Sequence, residues 1–444
     1  MTGGSHVWTI ASNETRALLT TWIACVLAAT VATVTGGDVH QFSRFTFVAA
    51  TVALGAQSIG HEYAHRTLGL TLTLPVSRRR LYLVKLAVLG TMVLPLAISA
   101  WLLRLFVDMP AVPWLLAAGP LCLAPSLTML CRSQLAGMVF SLSVPGTALI
   151  GLMFVTGTPL DAAAPTHTLA AWSRLMAGLL VGGAVLGWRL FMRLESVDGG
   201  VAGIHLRWWT EAPQDVRPKH PLWQLVKKEF RLQQMTFGIT AGYLAACAAA
   251  DMVPLPPLGS HVSFIGAVTV TYEVGLSVLA GSLATAEERQ LGTLAWQLQL
   301  PTPAWQQWAA KVATVFGLAL VLSIGVPALL VPVVWPAERP LIEMPVVLAI
   351  VMTAVSMYVS SLCASAVRAV VTSVVALSFV LWLVVKPELW TGRERGSVAL
   401  LSLVAVVLVR FAFVNHRPEQ PATARIWRQT LSVAAVVVIG LLVL

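Results

Sequence analysis

The sequence predicts an all-α polytopic membrane protein: two homologous six-helix transmembrane halves plus an extra C-terminal transmembrane helix. Three observations carry that expectation. Of 444 residues, 57% are hydrophobic and only 11% charged, with a mean hydropathy of +0.80, whereas an average soluble domain is about 25% charged. The apolar residues gather into runs long enough to cross about 30 Å of hydrocarbon, which takes roughly 20 residues per helix. The chain also repeats itself at a fixed spacing. Charges this sparse cannot wet the surfaces of several soluble domains, so much of the surface must face lipid.

Bounded by charges, Pro/Gly or Trp, the first runs lie at about 16–35, 44–60, 80–106, 111–130, 134–157 and 168–193. After a polar stretch come about 236–254, 261–284, 305–335, 341–363, 366–386, 397–414 and 428–444. That is six spans, a gap, six more and one extra. Pro145-Gly146 breaks the run 134–157, where a span followed by a re-entrant piece is the alternative.

Basic residues orient the spans. With the N-terminus in the cytoplasm, 22 of the 29 Lys and Arg fall inside and 7 outside, namely Arg44, Arg104, Arg174, Arg339, Lys386, Arg393 and Arg395. The net charge of +10 is mostly this bias. A nucleic-acid partner would need a soluble basic face, and the sequence has none. Residues 1–16 are polar and lack a charged n-region with a cleavage site, so no removed signal peptide is expected. Cys25, Cys122, Cys131, Cys247 and Cys363 lie in or beside apolar runs with no CxxC pair, and read as small hydrophobes. The expectation is a multi-pass protein of the plasma membrane, without cofactor or metal.

Two connections expected on the cytoplasmic side align at an offset of 226 residues. Glu62/Glu288, Thr67/Thr293, Leu68/Leu294, Leu72/Leu298, Leu74/Leu300, Pro75/Pro301 and Lys85/Lys311 are identical pairs, and Gly55/Gly281 extends the match upstream. Glu14-x-Arg16 matches Glu229-x-Arg231 at offset 215, so about eleven residues are inserted between the two blocks. The repeat sets the domains: a first transmembrane half over 1–194, a cytoplasmic linker over 195–221, a second half over 222–415, and a turn with the extra helix over 416–444.

Each repeat has one physical shape. A short amphipathic stretch, residues 14–19 or 222–234, puts basic residues beside Leu and Trp and suits a helix lying in the headgroup plane. Two spans follow, then a cytoplasmic helix, about 62–74 or 287–300, opened by an acid and closed by Pro75 or Pro301. Lys85 and Lys311 mark where the third span begins.

This pattern resembles the membrane subunits of ABC exporters of the ABC-2 type, in which an "E…GT…L…LP…K" stretch between the second and third spans forms the coupling helix. The second copy fits with Glu288, Gly292, Thr293, Leu300, Pro301 and Lys311; the first has Arg66 where Gly is usual but keeps Glu62, Thr67, Pro75 and Lys85. The resemblance covers about residues 10–415 and implies a permease subunit moving a hydrophobic or amphipathic substrate, such as an antibiotic, peptide or lipid-like natural product, out of the cell. It implies coupling residues Glu62, Thr67, Pro75, Glu288, Gly292, Thr293 and Pro301. No GxxxxGK[ST] loop occurs, so the chain is not expected to be an enzyme itself. ATP would be hydrolysed by a separate ATP-binding cassette subunit, two copies per permease chain. The short external loops leave no room for a large extracellular domain, so cargo would leave from the membrane interior or its outer face.

His61-Glu62-Tyr63-Ala64-His65 is a literal HExxH, the zinc metalloprotease signature. The repeat places Glu287 and Leu291 at the histidine positions, and Asp108 and Asp161 fall on the opposite side of the membrane, so no third ligand is evident. An intramembrane zinc protease is the lesser alternative. Intramembrane charge is costly and points to function, and Glu273, beside Tyr272 near the middle of the eighth span, is the clearest case. Both are candidate substrate-path residues. Glu273 reads as a site for a cationic amphipathic cargo, as a structural partner, or as the proton site of an ion-driven secondary transporter.

Overall fold

A computed structural model of the chain describes residues 3–34, 39–64, 67–73, 76–102, 112–156, 166–194, 221–252, 259–294, 302–330, 343–385, 394–416 and 423–443. Among these residues every regular element is helical and no strand occurs. Hydrocarbon offers no water to bond a bare N–H or C=O, and a helix satisfies both within itself. The chain divides into two compact units, Met1–Gln214 and Asp215–Leu444. The division falls in the expected linker 195–221, most of which lies outside the described residues.

The first unit contains α1 (Gly3–Val34), α2 (Val39–Ala64), α3 (Leu68–Leu72), α4 (Arg78–Leu102), α5 (Val112–Cys131), α6 (Gln134–Thr156) and α7 (Thr166–Met192). Its centre is α2, which packs on α1, α4, α5 and α6 and is buried without interruption over residues 49–60. Small residues permit this. A Cβ on Gly55 would lie 2.4 Å from the Pro120 carbonyl oxygen, so α2 and α5 touch backbone to backbone there. The run at 134–157 is one unbroken helix despite Pro145, not a span followed by a re-entrant piece. Proline removes one ladder bond, and a transmembrane helix can tolerate that loss. Nor is residues 14–19 a separate interfacial helix. They continue into the apolar part of α1, because neither Pro nor Gly interrupts residues 5–34.

The second unit contains α8 (Pro221–Leu232), α9 (Gln234–Met252), α10 (Gly259–Leu291), α11 (Ala304–Leu320), a π-helical turn (Val321–Gly325), α12 (Val326–Leu330), α13 (Glu343–Leu362), α14 (Ala366–Val385), α15 (Glu394–His416) and α16 (Thr423–Val443). Here α10 is central, buried throughout 276–286 and packed on α9, α11, α13 and α14. A Cβ on Gly281 would lie 2.5 Å from the Thr353 carbonyl oxygen, so α10 and α13 are in backbone contact. α8 is a distinct amphipathic helix, with Leu225 and Glu229 buried and Trp223 exposed.

Among the described residues each apolar run falls on a helix, and six stretches are long and apolar enough to cross a membrane: Arg78–Leu102, Ala170–Met192, Val268–Leu291, Ala304–Leu330, Pro345–Leu362 and Val398–His416. The architecture is that of an all-α, multi-pass membrane protein.

Candidate functional site

Each unit buries a lysine between two glutamates drawn from three helices. In the first unit Lys85, in the second turn of α4, pairs with Glu14 of α1 and with Glu62 of α2, the latter at 3.0 Å from Nζ to Oε1. In the second, Lys311 of α11 lies 2.9 and 3.1 Å from the two oxygens of Glu229 on α8 and 2.8 Å from Glu288 Oε1 on α10. Its Nζ also donates to the Ala284 carbonyl at 2.6 Å. All six side chains are buried. A buried lysine holds its charge only when its N–H donors and its Coulomb partners are in place, and these two are.

The residues around the two triads differ in charge. Where the second unit has Lys228, 2.5 Å from Glu288 Oε1, the first has Asn13 at offset 215. Where the second has Glu287, the first has His61, whose Nε2 lies 3.9 Å from Glu14 Oε1 and whose Nδ1 bonds the Gln57 carbonyl at 2.9 Å. Burial pushes the Glu229 carboxyl above its ordinary range, while the Lys311 ammonium draws it down.

The triads hold the ends of the connection between the second and third long helices of each unit. Thr67 N–H donates to the Glu62 carbonyl at 3.0 Å, and the Thr293 hydroxyl donates to the Glu288 carbonyl at 3.3 Å. Gly292 ends α10 in the left-handed region (φ 69°), with its N–H donating to the Arg289 carbonyl, a conformation glycine adopts at little cost. Glu62 and Glu288 are therefore the last turns of α2 and α10, turned inward, and not the exposed start of a separate cytoplasmic helix. His65, Arg66, Leu74, Pro75, Leu298, Leu300 and Pro301 lie outside the described residues.

Glu273 stands apart from the triads, on the middle of α10. It lines a cavity of about 360 Å³ with Thr269, Ser277, the π-turn residue Ile324, and Leu348, Ala349 and Met352 of α13 among its walls. Thr269, Glu273 and Ser277 recur every four residues and form one polar stripe on an apolar wall. Tyr272, though adjacent, faces elsewhere. Its hydroxyl donates to the Leu322 carbonyl and bonds Thr240, both at 2.9 Å, and its ring stacks on Tyr243 with centroids 4.1 Å apart.

No family model matches the chain, and no curated protein or solved structure matches it.

Donor atoms of Glu14, His61 and Glu62 all lie within 4.8 Å of one another, the nearest the first unit comes to a metal cluster among the described residues. The Lys85 ammonium already bonds both carboxylates. A divalent cation would have to displace it, and in the second unit the position of His61 is held by Glu287. The donor set does not fit zinc.

The sequence pairs Glu14/Glu229 and Lys85/Lys311 mark repeats, but their joint action with Glu62/Glu288 emerges only in three dimensions. A signal was present: an acid, an acid and a lysine, each matched between copies, at the edges of apolar runs. Two further features lie outside those sequence pairs. Ser133 and Ser365, at offset 232, each accept a backbone N–H three residues on and start α6 and α14. The side-chain amides of Asn415 and Gln429 bond each other reciprocally at 3.0 and 3.1 Å and tie α15 to α16.

Proposed function

We propose that the chain is the permease subunit of an ATP-driven exporter of the ABC-2 type. It is built as two six-helix halves with the N-terminus in the cytoplasm, in the plasma membrane. It moves a hydrophobic or amphipathic substrate out of the cell, and a separate ATP-binding cassette subunit, two copies per chain, hydrolyses the ATP.

The observation that carries this reading is the matched pair of lysine triads. A transporter driven from outside the bilayer needs a rigid joint that converts a push on a short loop into movement of spans. Lys85 joins α1, the end of α2 and the start of α4, so a load on α3 reaches three helices together. Lys311 does the same for α8, α10 and α11. Two such joints suit two ATPase contacts. Arg289 carries the second joint further, donating to the Ser361 and Asn415 carbonyls at the ends of α13 and α15.

The test is substrate accumulation in inverted membrane vesicles. The reading expects uptake that needs ATP hydrolysis and survives collapse of the proton gradient. One observation favours a second reading: a carboxyl lining a cavity at mid-span suits an ion-driven transporter with Glu273 as proton site. That reading expects the reverse pattern.

A further inference from the structure

The geometry points to the Glu273 cavity as the binding site for a compact protonated amine with an apolar body, an inference that rests on the exporter reading for its role as cargo but not for binding itself. The cavity lies within the second unit, between α10, the π-helical turn and α13. Its volume, about 360 Å³, sits at the low end of small-molecule pockets, roughly 300–1,000 Å³. A compact molecule fills it, and a folded peptide does not.

Its chemistry is one-sided. The walls are aliphatic: Val270, Val274, Ile324, Pro345, Leu348 and Met352. No lysine, arginine or histidine lines it, and Glu273 has no ion-pair or hydrogen-bond partner among the described residues. Glu288, also on α10, is differently placed: it is answered by two lysines. A carboxylate facing an apolar chamber with no internal counter-charge is stabilised by a ligand that brings both the cation and N–H donors. Thr269 and Ser277, one turn either side on the same stripe, have hydroxyls already engaged by Tyr243 and Ser323, so the carboxylate of Glu273 is the group that receives the ammonium.

The lining also says what is not selected. Among the described residues it holds no aromatic ring, so these residues do not form the cage that recognises quaternary ammonium groups. Selection therefore rests on a charge-assisted N–H···carboxylate bond plus apolar fit. The π-turn matters here. It brings Ile324 to the cavity wall while the Leu322 carbonyl accepts from Tyr272 and the Ser323 hydroxyl meets that of Ser277. The wall is thus pinned from behind, and the chamber is preformed.

The test is equilibrium binding to the purified full chain in lipid nanodiscs, with aminoadamantane as the cationic probe and hydroxyadamantane as its neutral isostere. Wild type should bind the amine roughly tenfold or more tightly than the alcohol. Glu273→Gln should abolish that preference while leaving thermal unfolding near wild type, and Ala349→Phe, which fills the chamber, should weaken both probes. Equal binding of the two probes by wild type, no binding of either, or a preference that survives Glu273→Gln overturns the inference. Binding as expected in a chain that recruits no ATPase would leave the site standing and sink the exporter reading instead.

Discussion

Lys311 Nζ lies 2.8 Å from Glu288 Oε1, and neither side chain reaches the surface. The pair is the second of two such joints; Lys85 and Glu62 stand 3.0 Å apart in the first unit. Among the described residues each lysine is the one ammonium that bonds both acids of its triad, so its removal takes away the cation two buried carboxylates share, although Lys228 still answers Glu288 in the second unit. Lys311→Met should cost about 3–5 kcal/mol, read as an early thermal unfolding transition in detergent. The triple variant Lys311→Met, Glu229→Gln, Glu288→Gln should recover much of that loss. A single variant as stable as wild type would show that no joint exists.

The helix crossings at Gly55 and Gly281 make a sharper comparison. Gly55→Ala and Gly281→Ala put a Cβ within 2.4 and 2.5 Å of backbone oxygens, which cannot swing aside. Each should lose about 1–3 kcal/mol. Gly275→Ala, on the same α10 with open space around it, should be neutral or slightly stabilising. Thermal unfolding of the three variants side by side decides it.

The short helix α3 offers a surface where the glutamates do not. Leu70 is 71% exposed on it, while Glu62 and Glu288 are shut away. Leu70→Asp should therefore leave folding intact and weaken ATPase association, measured by co-purification yield. Glu62→Lys and Glu288→Lys should instead destabilise the chain itself. The reverse pattern would place the docking surface elsewhere.

These comparisons mark how far the sequence could be read. Length and hydropathy suffice for the helices, because a lipid-crossing segment leaves an unmistakable apolar run; the described parts of the thirteen runs fall on helices. The offset of 226 residues identified Gly55/Gly281 and Lys85/Lys311 as pairs, since identity at fixed spacing survives without any knowledge of contacts. Direction was not legible. Glu288 looks in sequence like a charged helix start beside a loop, and only packing reveals that it turns toward Lys311. Tyr272 and Glu273 are neighbours in sequence, yet 100° of helical rotation sends one to Leu322 and the other to the cavity. Continuity at Pro145 was not legible either, because a proline that removes one ladder bond does not by itself end a helix.

The HExxH segment yields a further expectation. With the Lys85 ammonium bonded to both Glu14 and Glu62, purified protein should carry no stoichiometric zinc, and His61→Ala should retain transport and stability. Metal analysis at about one zinc per chain, lost on that substitution, would restore the hydrolase reading.

The last helix can be released separately. Gln429 exchanges two amide hydrogen bonds with Asn415 and accepts one from Tyr358. Gln429→Leu leaves the buried Asn415 amide short of partners at a cost of about 1–3 kcal/mol. Hydrogen exchange should rise at the start of α16 and stay unchanged in the first unit. Unchanged exchange over 423–432 would show that the amide pair does not anchor α16.

The proposed exporter is the membrane part of a larger ATP-driven assembly. The direct measurement is the native mass of the complex purified from its own membranes in mild detergent, with each component identified by peptide sequencing. One 47.4 kDa chain with two copies of a subunit bearing a GxxxxGK[ST] phosphate loop is expected, with ATPase activity in the same peak. A mass corresponding to this chain alone, or to copies of itself only, in a preparation that still transports, would contradict it.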